Sequence, residues 1–565
     1  MSKRRKILTE LEIAEMMQNI SDIDSETDSD SDSDSDTIIY SDHKESSESC
    51  DDEDITDICM PSTSKASTSP WSSTVENLTQ LPFKAVPGLK VDDSVAEEID
   101  FFRHYFDDTV MKLITEQTNL YQRSIYPEDA SGARSSNYLP VTEEEMFVFF
   151  ALTILMGIIK KPKIKMYFST NPMLATPFFN SVMSRDRYVA ILRCLHFASS
   201  DAKKIGKLQP VLDKIIENFK SAYTPERNIS IDESLLLWKG RLGFRQYVPA
   251  KRSRYGIKLY KLCESKSGYI YNFIIYTGKD TVLKETLGLY GERVVKSLLE
   301  ELSGQGYHLY IDRFFMSPSL ADELFGLQTN TCGTVMRRRK GMPENFPPPK
   351  MKIGEMLVLQ KKNMNLTAFK DRREVLVIST MHDAKLLDTG KKDRATSNPI
   401  MKPECIVEYN KNMGGIDLSD AVIIQYPSFR KTVKWYKKLF FNIMDMAVFN
   451  ANILFNKKSK NNLPLLNYRL NLVNQIISQH SSKIPKVNVI PKSAESLNPL
   501  RLTERHFPKL CSKETGEKVR RRCFVCSHSR KNPPKRQMSY YECKDCNVGL
   551  CVDPCFQIFH TKKEF

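Results

Sequence analysis

A chain of 565 residues, 41% hydrophobic and 10% aromatic, is too long for one core and too apolar to be disordered throughout. Its formal net charge of +14 conceals an asymmetry: residues 1–100 carry 25 acidic and 8 basic side chains, and the remainder sums to +31, a body that attracts phosphate backbones. No signal peptide or membrane span is legible, which argues against a secreted or membrane protein and reads the 13 cysteines as reduced thiols.

The first segment, residues 1–90, reads as a disordered acidic tail. Asp28 to Asp36 is a Ser-Asp repeat and Pro61 to Ser73 is rich in Ser, Thr and Pro, compositions that bury too little apolar surface to offset chain entropy. Serines flanked by acids suit an acidophilic kinase. The tail fits either a segment that competes with DNA for the basic body or a solubilising one. Lys3-Arg4-Arg5-Lys6 fits a nuclear import signal, so the expected location is the nucleus.

Helical spacing dominates 91–226. Thr142 with Glu145 predicts a capping box ahead of Met146 to Ile158, a run too short for a bilayer and suited to a buried helix. Ser184 caps a second helix, Arg185 to His196, whose apolar face is Tyr188, Ile191, Leu192 and Leu195.

From residue 227 the period changes. Asn228 to Trp238 reads as a strand, Lys258 to Glu264 and Tyr269 to Thr277 as a hairpin, Glu292 to Leu302 as a helix and Tyr307 to Ile311 as a fourth strand. Three strands, a helix and a strand is the order of an RNase H-like α/β core, which puts one carboxylate on its first strand and another at the end of its fourth. Asp232 and Asp312 occupy those places. The core is expected over 227–335 and 403–425, interrupted by a β-rich insertion over 336–402. A helix near Gly414–Gly415 carries Asp417 and Asp420, and Lys431 to Asn456 reads as an amphipathic helix within a second helical part, 426–500.

Three basic clusters are candidate phosphate contacts or solvated faces: Lys239, Arg241, Arg245, Lys251, Arg252 and Arg254 beyond the first strand, Arg337 to Lys340, and Arg430, Lys431, Lys434, Lys437 and Lys438 at the start of the long helix. Trp435 fits a core anchor better than a base-stacking platform.

The last 65 residues, 501–565, carry the sharpest local signal. Cys523-x2-Cys526, Cys543-x2-Cys546, Cys551, Cys555 and His560 offer seven ligands with the types and spacing of tetrahedral zinc. Seven is one short of two closed sites; two interleaved zinc ions, in a cross-brace, fit better than one ion with spare cysteines.

Five stretches then carry a resemblance. ISIDESLLLWKG (Ile229–Gly240), YIDRFFMSP (Tyr310–Pro318), YNKNMGGIDLSD (Tyr409–Asp420), MSRDRYVAILRCLHF (Met183–Phe197) and VKWYKKL (Val433–Leu439) resemble, in the same order, the piggyBac transposase family. The resemblance runs from about residue 95 to the C-terminus. It implies a DDE/D recombinase in which Asp232, Asp312 and Asp417 hold Mg²⁺ or Mn²⁺, with Asp420 a further acidic residue one helical turn on. It also implies a dimer acting on double-stranded transposon ends and TTAA targets, helical DNA-binding and dimerising parts around the core, and His506 as the eighth zinc ligand; His528, nearer Cys526 in the chain, is the alternative. One departure stands out. Many relatives carry Asn after the second aspartate where this chain has Arg313, which keeps open a DNA- or chromatin-binding descendant with weakened or lost catalysis.

Overall fold

The structure, a computed structural model, describes residues 70–126, 139–248, 254–283, 287–392, 397–428, 432–481, 506–512, 517–528 and 536–562. The predicted tail up to residue 69, and the expected phosphate contacts Lys251, Arg252, Arg430 and Lys431, lie outside the described residues.

A helical part surrounds one side of the main core. Its principal helices are α1 (Glu98–Tyr105), α2 (Asp108–Ile125), α3 (Glu143–Ile158), α4 (Arg185–Cys194) and α5 (Gln209–Ala222). α3 is buried along nearly its whole length, as its uniformly apolar sequence demands. The Thr142 hydroxyl accepts from the Glu145 amide at 3.2 Å, but the reciprocal half of the expected capping box is replaced. The Glu145 carboxylate takes both arms of Arg187, at 2.7 and 2.5 Å, tying α3 to α4. Ser184 caps α4 as expected, and α4 ends at Cys194, two residues earlier than its periodicity suggests.

The mixed sheet follows: β1 (Asn228–Leu237), β2 (Tyr255–Glu264), β3 (Ile270–Ile275), α6 (Tyr290–Leu299), β4 (His308–Ile311), α7 (Pro318–Gly326) and β5 (Asn330–Thr334). β3, β2 and β1 pair antiparallel, and β1, β4 and β5 pair parallel, which is the RNase H strand order. The β-rich stretch after it is not set apart. β6 (Met356–Lys361), β7 (Met364–Lys370) and β8 (Glu374–Ser379) continue the same nine-stranded sheet through β8 against β5.

Two helices, α8 (Glu404–Asn412) and α9 (Gly415–Ile423), return to this sheet. The long α10 (Trp435–Ser459) and α11 (Leu465–His480) complete the helical part. α10 corrects the amphipathic expectation. It is long and apolar enough to cross a bilayer by length and composition, yet 78% of that window is buried inside the protein. Its Asp445 is offset by the fully buried Arg469 of α11 at 2.7 Å, and the Ser428 amide also donates to Asp445 at 3.0 Å.

Residues 70–90 correct the tail boundary. They run extended across the body: the Trp71 indole donates to the Gly341 carbonyl at 3.0 Å, Ser72 bridges Gln360 of β6, the Thr79 amide meets Asn363 at 2.8 Å, and Gly88–Leu89 pairs with Tyr223–Thr224. The apolar signals were Trp71 and Phe83, the latter packed edge-on against Tyr307. Composition averaged over the tail hides them.

Candidate functional site

The β1 sequence alternates. Ile229 and Ile231 point into the main core, while Ser230, Asp232 and Ser234 face the other way, the period of two that a pleated strand imposes. α9 lies over that second face. Its start comes so close that a Cβ on Gly415 would fall 2.9 Å from the Glu264 carbonyl oxygen and 2.9 Å from the Ser230 hydroxyl, so the glycine permits the contact.

Parallel pairing sets Ile231 beside Ile311, so the next residues, Asp232 within β1 and Asp312 just past the end of β4, come side by side. The Asp312 carboxylate accepts from the Phe314 amide at 2.9 Å, and Asp232 from the Glu233 amide at 2.7 Å. Burial pushes the Asp312 carboxyl above its usual range; the Phe314 and Phe315 amides and Arg313 pull it down, and Glu233 adds to the rise. Tyr409 of α8 is pushed up by burial and further by Asp312 and Asp232. Two adjacent half-buried carboxylates offer the oxygen ligands that a hard divalent cation prefers.

The predicted acidic residues behave differently from one another. Asp417 is exposed in the first turn of α9. Asp420 is engaged: the Ser234 hydroxyl donates to it at 2.9 Å and the buried Lys261 ammonium at 2.6 Å. Asp232 and Asp312 come side by side and Asp417 is on the helix over their face, but among the described residues the only groups of three or more ligand atoms within 4.8 Å of one another are those of the C-terminal module.

There the match is complete. Cys523, Cys526, Cys551 and Cys555 converge in one set, and His506, Cys543, Cys546 and His560 in the other. The Cys526 and Cys555 sulfurs lie 3.5 Å apart, and His506 Nδ1 lies 3.4 Å from the Cys543 sulfur. A tetrahedral zinc with bonds of roughly 2.3 Å to sulfur and 2.0–2.1 Å to nitrogen requires ligand separations of roughly 3.5–3.8 Å. The two sets alternate along the chain, which is the cross-brace. His528 is not in either; its ring stacks on Phe524, and its Nδ1 lies 3.0 Å from the Phe524 carbonyl.

Of the basic residues, Arg254, Lys340 and Lys434 are exposed. Arg337 is partly committed to Glu374 at 3.5 Å and to the Pro347 carbonyl. Lys437 corrects its expected phosphate contact: it is buried and donates to the Leu192 and Arg193 carbonyls at 2.7 and 3.0 Å, closing the C-terminal end of α4. Trp435 packs edge-on against Phe244, a core anchor.

The family model described as Transposase IS4 matches residues 97–452, well over half the chain. The chain belongs to the piggyBac transposase family. It is 24% identical over 483 residues to human PiggyBac transposable element-derived protein 3, spanning 81% of this chain and 75% of that one. It is also 24% identical over 392 residues to human PiggyBac transposable element-derived protein 2, spanning 64% and 62% of the two. A piggyBac transposase synaptic complex with hairpin DNA, solved by cryo-electron microscopy, shares the fold at a TM-score of 0.61 and 22% identity over 83% of this chain and 100% of that chain. A model described as a DDE_Tnp_1-like zinc finger matches residues 504–561, so the C-terminal module of this piggyBac relative is a zinc finger, and the eight converging residues are those that could hold its metal.

Beside the carboxylates, sequence reasoning gave Arg339 only as part of a basic cluster and missed Lys261. Arg339 donates to the Arg313 and Phe314 carbonyls at 2.7 and 3.0 Å, clasping the turn that follows Asp312. Lys261 stands directly opposite Asp232 in the antiparallel register. A lysine flanked by Tyr260 and Leu262 inside a strand was the available signal, and it gains meaning only once that register is known.

Proposed function

We propose that this chain is a cut-and-paste DNA transposase that cleaves double-stranded transposon ends and joins them at TTAA targets, working as a dimer in the nucleus. The observation that supports this most is the adjacency of Asp232, within β1, and Asp312, just past the end of the parallel β4, with the Asp417-bearing helix over the same face. Asp232, Asp312 and Asp417 would hold Mg²⁺ or Mn²⁺, which when bound lowers the pKa of an attacking water or 3′-hydroxyl and stabilises the departing oxygen. Arg254, Lys340 and Lys434 face solvent and suit phosphate contacts. The Phe314 amide and the Arg339 clasp hold the Asp312 turn in place, so that carboxylate does not have to reorganise when DNA arrives. The division into an acidic tail open to an acidophilic kinase, helical DNA-binding and dimerising parts, a core with its β-rich insertion, and a zinc finger for transposon-end recognition belongs to the same reading.

A second reading, DNA or chromatin binding without catalysis, is favoured by Arg313, exposed next to Asp312. A Mg²⁺-dependent cleavage assay on matched transposon-end DNA flanked by TTAA, beside Asp312→Ala, separates the two. Cleavage by the parent and none by the variant supports the transposase. Binding of that DNA by zinc-loaded, folded protein with no cleavage in any divalent metal overturns it in favour of the second reading.

A further inference from the structure

Lys261 is buried, with 2% of its side chain exposed, on the face of the sheet that carries Asp232. Residues directly opposite in an antiparallel pair put their side chains on one face, with Cβ atoms about 4.5–5.5 Å apart. From that position the ammonium reaches across to α9, where its Nζ lies 2.6 Å from Asp420 Oδ1. The Ser234 hydroxyl, on the same face of β1, donates to that same oxygen at 2.9 Å. Two donors from two strands therefore converge on one carboxylate oxygen of the helix. Asp417 and Asp420 are three residues apart, so they share one side of α9, and whatever fixes Asp420 fixes the rotation of the helix and the direction in which Asp417 points.

We propose that Lys261 is a positioning residue for the metal site: its buried ammonium, with Ser234, locks Asp420 and thereby orients Asp417 over Asp232, leaving Asp420 outside the metal-holding set. This rests on the metal-dependent reading above. The charge balance gives the arrangement its logic. A buried ammonium left without its partner is costly, and the carboxylate directly opposite it in the register is Asp232. Loss of Asp420 therefore does more than free a helix; it turns the cation onto a residue the metal needs.

The consequence is an unusual mutational pattern. Asp420→Asn should weaken Mn²⁺ binding by about tenfold or more, the scale seen for residues that support metal ligands, because the ammonium then captures Asp232. Lys261→Met combined with Asp420→Asn removes both charges and should recover several-fold of the lost Mn²⁺ affinity, short of the parent because α9 is no longer locked and Asp417 no longer oriented, and cleavage should stay low. Calorimetric titration of the full chain with Mn²⁺, thermal melting of the same four proteins and the cleavage assay read this together. The expected result is Mn²⁺ affinity partly recovered in the double variant, and a melting temperature for the double variant above that of Asp420→Asn. Equal Mn²⁺ affinities for Asp420→Asn and the double variant would make Asp420 a metal ligand and overturn the proposal. Cleavage by Lys261→Met at the parental rate would overturn it as well. A parent protein that binds no Mn²⁺ fails the metal reading itself, which is a different outcome from a parent that binds while the double variant does not recover.

Discussion

The chain holds two sites built on opposite plans. In the C-terminal module eight ligands converge in two closed sets, all drawn from residues 506 to 560. In the core the carboxylates come from a strand, a strand end and a helix between residues 232 and 417, and they do not close into a comparable cluster. The closed sets have the donor spacing of a filled tetrahedron and are made of thiols and imidazoles that gain little from one another without an ion. The open face is held in shape by protein groups: amides on Asp312, a lysine on Asp420 and a glycine under α9. A closed site therefore contributes to folding, whereas an open one burdens the fold and serves chemistry.

The largest effect should follow from removing metal from the closed sets. Chelation, or Cys551→Ser with Cys546→Ser, is expected to unfold the module, because a structural zinc contributes about 10–16 kcal/mol of binding free energy. Metal analysis should find two zinc ions per chain. Hydrogen exchange should then collapse over residues 506–562 and leave β1, β4 and α10 protected. A single zinc per chain, or loss of protection throughout, would break the distinction.

The same contrast explains what could be read in advance. Paired cysteines two residues apart announce a metal through local spacing alone, and the cross-brace pairing followed. His506 against His528 needed the resemblance, and only geometry decides between them. The carboxylates carried no local signal; Asp232 and Asp312 were legible because the strand and helix periods spelled an RNase H order. What stayed illegible depends on register and packing. Lys261 acquires its role from standing opposite Asp232, Lys437 from an α4 end that lies 243 residues earlier in the chain at Cys194, and Asp420 from the ammonium it holds. Residues 70–90 looked like tail because an extended strap needs few apolar residues when its backbone groups are met by side chains such as Asn363 and Asn330.

A closed arrangement without metal offers the next test. Arg469 and Asp445 are buried almost completely and are joined at 2.7 Å. Arg469→Met leaves the Asp445 charge uncompensated between α10 and the Ser428 turn, a loss expected at about 3–5 kcal/mol. Denaturant unfolding of that variant beside Arg469→Met/Asp445→Asn measures it; a double variant as unstable as the single one would show that packing, and not charge, sets the cost.

Smaller effects separate cations that belong to the fold from those that meet solvent. Lys437→Ala strips two partly buried carbonyls of their donor and should cost about 1 kcal/mol of stability, with the salt dependence of DNA binding unchanged. Lys340→Ala should do the reverse, leaving stability alone and reducing the slope of log affinity against log salt by about one. Interchanged results would return Lys437 to the DNA surface.

The smallest effect tests whether the open site burdens the fold. Burial raises the Asp312 carboxyl above its ordinary value, so the folded state favours its protonated form. The stability this gives is full below about pH 4, the ordinary aspartate range, and is lost as pH rises through the raised value. Asp312→Asn is neutral at every pH and escapes that loss. The metal-free variant should therefore melt slightly above the metal-free parent at neutral pH, and the gap should close on acidification. Added Mg²⁺ should raise the melting point of the parent and leave that of the variant where it was, because an ion that binds only the native state stabilises it. A variant that melts lower than the parent at neutral pH would mean that the hydrogen bond from Phe314 outweighs burial, and that this carboxylate supports the fold as the thiolates of the zinc module do.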